Sequence, residues 1–299
     1  MKKRLGKEIR SLRKQQQITQ QDLSSSNVTQ ATISKIESGE HAPNIETLYL
    51  IAERLNVSIE HFFPLLKFDQ PDYVNQTIEY MEKLSNGHEY KKVFQVAERE
   101  LSKPEYTFSN DWFSSFLRWN YWYAAYRIAA VPKEEAERNL SALFEQLKAS
   151  REHLENLPAR ITNSLAIMKS EEGKLNESLK LFEQALQSLS LPTYKSPARA
   201  AHIYQLRLIY NQAKTYYDLG EFKKAKSSVY RGQALSKRYE NMSLLGQFFY
   251  YEGQCLEQEN AEVEKIARCY EQALFFFEFL DKTYYADLLK KQKGAYLTL

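Results

Sequence analysis

Cysteine is nearly missing from this 299-residue chain: Cys255 and Cys269 are the two present, with no Cys-x-x-Cys pair and no histidine pair beside them. That argues against a disulfide framework and a structural zinc site, and the two are expected as buried free thiols in a reducing compartment. Long apolar runs are missing too, since no window approaches the ~18 uninterrupted apolar residues of a membrane helix. The opening residues, Met1-Lys2-Lys3-Arg4-Leu5-Gly6-Lys7, lead into Glu8-Ile9-Arg10 rather than an apolar stretch. No signal peptide or anchor is expected here, and the protein is expected in the cytoplasm, off the membrane. Enzyme signatures are equally scarce. The histidines, His41, His61, His88, His153 and His202, are scattered, and neither a glycine-rich phosphate loop nor a nucleophile motif occurs. Catalysis, a cofactor and a bound metal are therefore not expected.

What the chain does contain is a globular balance, 43% hydrophobic against 26% charged, which excludes wholesale disorder. Its length suits one small domain joined to a larger or repetitive one. The 21 Tyr and 16 Phe require a structure that uses rings repeatedly. The net charge of +3 hides an uneven distribution, for Lys2, Lys3, Arg4, Lys7, Arg10, Arg13 and Lys14 face Glu8 alone. Such a run is either a solvated helix face or a patch for nucleic acid.

Within the first sixty-three residues, Leu5, Ile9 and Leu12 recur at helical spacing and Ile18 closes the segment. Thr19 and Asp22 form a capping box that predicts a second short helix. A small polar connection, Ser24 to Val28, precedes a helix capped by Thr29 and stopped by Gly39. A further amphipathic helix follows Pro43 through Leu55, and a last short one covers Ser58 to Phe63, so five helices are expected around a small core. Turning Ile33 and Ile36 inward points Gln30, Ala31, Ser34 and Lys35 outward. Gln can pair with adenine, Lys can approach guanine, and an Ala methyl can touch a thymine methyl, so this face suits the edges of bases in a major groove. Thr19, Gln20 and Gln21, with Thr29, offer the amides and short polar groups that hold phosphate. Ile18-Thr19-Gln20-Gln21-Asp22-Leu23, Thr32-Ile33-Ser34-Lys35-Ile36-Glu37-Ser38-Gly39 and Leu50-Ile51-Ala52-Glu53-Arg54-Leu55-Asn56-Val57 resemble the Xre/Cro-type helix-turn-helix domain. The connection departs from that pattern by lacking its common glycine.

From Phe68 onward nearly every window reads as helix, with breaks at Asn86-Gly87, Pro104, Val131-Pro132, Pro158, Gly173, Leu191-Pro192, Gly220 and Glu259-Asn260. Aligning the breaks exposes a repeat: Gly173 to Leu186, Gly220 to Gly232 and Ala261 to Leu274, with weaker copies at Tyr90 to Ala97 and Ala136 to Phe144. The pattern resembles the second helix of tetratricopeptide repeats. Small residues at close crossings and rings between neighbours let each helix pair bury its apolar face by stacking on the next. About five pairs are expected to form a right-handed superhelical solenoid with a concave face lined by first helices. Asn163 and Asn211 occupy equivalent places on two of them, where an amide can pair with a peptide backbone. Packing is the alternative role for the rings beside them.

Taken together, Ser34-Lys35-Ile36-Glu37-Ser38-Gly39, Tyr123-Ala124-Ala125-Tyr126, Leu181 to Leu186, Leu245-Gly246-Gln247, Gly253 to Leu256 and Ala273 to Phe277 are similar to the PlcR-like members of the Rgg/NprR/PlcR/PrgX (RNPP) family of quorum-sensing regulators. The resemblance implies a homodimer on a palindromic, two-half-site stretch of double-stranded DNA. It also implies control by a short re-imported signalling peptide in the concave groove. Asn163 and Asn211 fall where the family's peptide-backbone asparagines lie, Gln247 and Tyr285 match further groove positions, and Phe63 replaces a tyrosine. Ser85-Asn86-Gly87-His88 lacks the lysines such proteins use toward an acidic peptide, so a different charge pattern is expected of this ligand. The expected division is residues 1–63 for DNA binding, 64–84 as a linker helix and 85–299 for peptide sensing and dimerisation. Two other readings stay open: repeats that only dimerise, and repeats that hold a folded protein partner.

Overall fold

The computed structural model describes residues 1–26, 28–67, 70–103, 111–149, 156–190 and 199–297. Its elements run α1 (Lys2–Gln15), α2 (Gln30–Ser38), α3 (Ile45–Arg54), a 3-10 turn (Ile59–Phe62), α4 (Phe63–Lys67), α5 (Pro71–Asn86), α6 (Tyr90–Leu101), α7 (Asp111–Arg127) and α8 (Lys133–Ala149). They continue with α9 (Leu157–Glu171), α10 (Leu175–Ser190), α11 (Arg199–Asp218), α12 (Phe222–Arg238), α13 (Leu245–Gln258), α14 (Val263–Phe279) and α15 (Thr283–Lys293). The fold is all-α, and the chain divides into two compact units, Met1–Ala124 and Ala125–Leu299. Among the described residues no helix is long and apolar enough to cross a membrane. The breaks expected at Pro104 and Leu191-Pro192 lie outside the described residues.

In the first unit, Leu5, Ile9, Leu23, Val28, Ile33, Ile36, Leu48, Ile51, Leu55 and Phe62 form one buried core, with Leu12 and Ile18 partly buried against it. Three side chains start the elements that surround it: Thr29 accepts from the Thr32 amide, Asn44 from Thr47 and Ser58 from Glu60. Gly39 ends α2 at φ +80°. Residues 20–23 form a turn in place of the second short helix. The Thr19–Asp22 box is present, with the Thr19 amide and hydroxyl donating to the Asp22 carboxylate at 2.6 and 2.7 Å. The segment after it is too short to propagate a helix. The expected linker covers most of α4 and of α5, and α5 buries Val74, Thr77, Met81 and Leu84 and packs on α6.

In the second unit, each helix from α8 to α15 packs on the next, and α11 also touches α9 and α13. First helices of successive pairs are therefore neighbours and form one layer. The small-against-large packing is literal. A Cβ on Gly232 would come 2.2 Å from the Phe248 ring, one on Gly246 2.6 Å from Phe277, and one on Gly253 2.8 Å from Tyr270. Glycine is required at these places because a ring of the next helix occupies the space of a side chain. Cys255 and Cys269 are buried and free, and burial pushes their thiols up to about 11 and about 12. They stay protonated and serve as packing.

Candidate functional site

The first candidate surface belongs to α2. Ile33 and Ile36 are fully buried, and this fixes the helix so that Gln30, Ala31, Ser34 and Lys35 are exposed, as is the cap Thr29. Behind them Glu37, 6% exposed, anchors the helix from inside. Arg13 of α1 grips it with Nε on Oε1 at 2.6 Å and Nη2 on Oε2 at 3.0 Å, and Gln20 Nε2 adds 2.8 Å to Oε2. Burial opposes the charge on Glu37, yet these donors, with Arg10 nearby, hold its carboxyl below the usual range. Gly6 brings α1 against α2 so closely that a Cβ there would lie 2.2 Å from the Ile36 carbonyl oxygen. Together the pair and the close approach orient the outward face.

Of the other residues singled out here, Thr19 and Gln21 are exposed, while Gln20 is half-buried with its amide on Glu37. Within the basic run, Lys2, Lys3, Lys7, Arg10 and Lys14 are exposed, and Arg13 is turned to Glu37. A helix edge with exposed Gln, Ser and Lys beside exposed cations can read base edges and hold phosphates.

The second candidate surface is the layer of first helices. Asn163 on α9 and Asn211 on α11 meet, with Asn211 Nδ2 donating to Asn163 Oδ1 at 2.9 Å. Each amide has a second group that this bond does not use, so the pair can donate to and accept from a third party. Gln247 on α13 is 6% exposed and its Oε1 accepts from Lys282 Nζ at 3.5 Å. Tyr285 on α15 stacks on Phe277 with ring centroids 5.4 Å apart. Rings fill the intervals, for Tyr210 stands edge-on to Phe248 and Tyr251. Phe63, by contrast, belongs to the first unit, at the start of α4, and is 45% exposed. Sequence spacing does not mark Arg160, Arg207 or Lys282, which lie beside the amides. They read as ordinary surface charges until the first helices are aligned.

The RNPP family C-terminal domain matches residues 78–298, and a helix-turn-helix family matches residues 9–62. Comparison with curated proteins gives no match. Among solved structures the chain is similar to Bacillus thuringiensis PlcR in complex with the peptide PapR7 and DNA. The two are 29% identical, with 96% of this chain and 99% of that one covered and a TM-score of 0.86. Bacillus thuringiensis PlcR in its apo form gives 28% identity, coverage of 97% and 99% and a TM-score of 0.67. ComR from S. thermophilus, in complex with DNA and its signalling peptide ComS, shares the fold at 18% identity, coverage of 98% and 99% and a TM-score of 0.64. With the RNPP C-terminal domain matching more than half of the chain and a helix-turn-helix module before it, the chain belongs to the RNPP family of transcription regulators, which are not enzymes.

Proposed function

We propose that this protein is a cytoplasmic quorum-sensing regulator that binds a palindromic operator as a homodimer and changes its operator affinity when a short re-imported peptide lies along its inner helices. Residues 1–63 bind DNA, through Gln30, Ala31, Ser34 and Lys35 at base edges and Thr19, Gln20, Gln21 and Thr29 toward phosphates. Residues 64–84 link the modules. Residues 85–299 sense the peptide, with Asn163 and Asn211 on its backbone and Gln247 and Tyr285 further along the groove, and Phe63 is a further peptide-contact residue in this reading. The observation that carries this reading is the end-to-end similarity to a PlcR solved with both a peptide and DNA.

Dimerisation follows from the same physics. One helix-turn-helix contacts a single half-site, and specific binding in the nanomolar range uses two copies across a palindrome. The test is an anisotropy titration of the full chain on its own upstream DNA at fixed salt, with and without synthetic peptides from neighbouring short reading frames. The expected result is a peptide-dependent shift in specific affinity of about 5–150-fold, lost in the Asn163→Ala, Asn211→Ala double variant. Tight specific binding that ignores every peptide would return the repeats to dimerisation or to holding a protein partner.

A further inference from the structure

About one helical turn from the asparagine pair, the inner layer changes from amides to cations. Arg160 precedes Asn163 by three residues on α9 and Arg207 precedes Asn211 by four on α11, spacings that set each on the face of its asparagine. The two guanidinium groups share one ring: Arg160 Cζ lies 3.7 Å and Arg207 Cζ 4.9 Å from the Tyr204 centroid. Lys282, the residue before α15, adds a third positive group. Its ammonium donates to the Ser243 carbonyl and, at 3.5 Å, to Gln247 Oε1. Both acceptors are neutral. Burial, reinforced by the like charge of Arg207, pushes Lys282 down to about 8.

A half-buried ammonium among neutral acceptors, with another cation as its charged neighbour, is disfavoured. An incoming carboxylate reverses that balance, because it accepts charge-assisted hydrogen bonds from donors already held in place. The guanidinium offers a planar fork and the ammonium a point charge, a combination that matches a carboxylate and is wasted on an apolar side chain.

We propose that Arg207 and Lys282, positioned by Tyr204 and Gln247, form a carboxylate subsite at the edge of the inner amide row, and that the ligand presents an acidic group there. This rests on the peptide reading of that row. The acidic group has two possible sources, an Asp or Glu side chain or a free C-terminus, which share one chemistry.

The test uses full-length protein and short synthetic peptide pools whose randomised positions exclude Asp and Glu. One pool ends in an amide, one in a free acid, and one ends in an amide but carries a single Glu. Retained peptide is weighed by mass spectrometry after gel filtration. The expected result is about tenfold greater retention of one or both carboxylate-bearing pools over the neutral pool, with the better pool identifying the source. That enrichment disappears in Arg207→Gln and in Lys282→Met, whereas the Asn163→Ala, Asn211→Ala double variant lowers retention of every pool. Arg207→Gln carries the test alone if Lys282→Met fails to fold. Equal retention of the neutral pool, or enrichment that survives both variants while retention still depends on the asparagines, overturns the subsite and leaves the peptide reading standing. No retention of any pool overturns both.

Discussion

In the helix-turn-helix region several polar groups find partners within the region itself, although the buried Ser25 Oγ has no hydrogen-bond partner among the described residues. Thr29, Asn44 and Ser58 cap their helices, and the buried Glu37 is held by Arg13 and Gln20. In the second unit α9, α12, α13, α14 and α15 begin without a side-chain cap, and the half-buried Lys282 faces neutral acceptors and a like charge. The first region is specified largely by local chemistry. The second is specified by stacking of rings on small residues, and along its inner layer it carries the paired amides of Asn163 and Asn211.

Removing a stacking ring should have the largest effect. Phe248 is fully buried and fills the space above Gly232. Phe248→Ala is expected to cost about 3–5 kcal/mol, and hydrogen exchange should report it in the second unit while the core around Ile33 keeps its protection. Equal loss of protection in both units would break the comparison. Next in size is a change in the other region. Gly6→Ala forces a Cβ to within 2.2 Å of the Ile36 carbonyl oxygen, so α1 and α2 must separate. The expected cost is about 1–3 kcal/mol, read as a lower melting temperature of the first unit together with weaker operator binding.

The smallest effect concerns the open charge. Lys282 has its folded pKa pushed down from 10.5 to about 8. Below about pH 8 the group is charged in both states and the folded state carries the penalty. As pH rises from about 8 to 10.5 the unfolded chain retains a proton that the folded one has lost, so stability increases with pH. Solvent screening at a partly exposed site reduces the effect to about 1 kcal/mol. Subtracting the melting profile of Lys282→Met from that of the native chain should leave this rise; a flat difference would contradict the assignment.

Much of this was legible in the residues. The Thr19–Asp22 box, the Thr29 cap and the Gly39 stop are local signals, and each is found where the spacing puts it. Gly232 reads as the small member of a repeat because it aligns with Ala185 and Ala273 in the neighbouring copies. Other features were hidden for physical reasons. The turns that follow α12 and α14 pass through Glu240 and Asp281 at φ of +50° and +53°, a left-handed conformation with no glycine to announce it. Gly6 looks like a flaw in an amphipathic helix until α2 is laid against it. Lys282 looks like a surface lysine because its burial depends on Ser243 and Gln247, which come 39 and 35 residues earlier.

On the proposed function, the exposed face of α2 and the inner amide row are two sites of one thermodynamic system. The most direct test measures operator affinity at zero and saturating peptide and, separately, peptide affinity with and without operator, at one salt concentration. Coupling predicts the same factor in both directions, because linkage between binding sites is reciprocal. Operator and peptide that each bind specifically, with factors of one both ways, would contradict it.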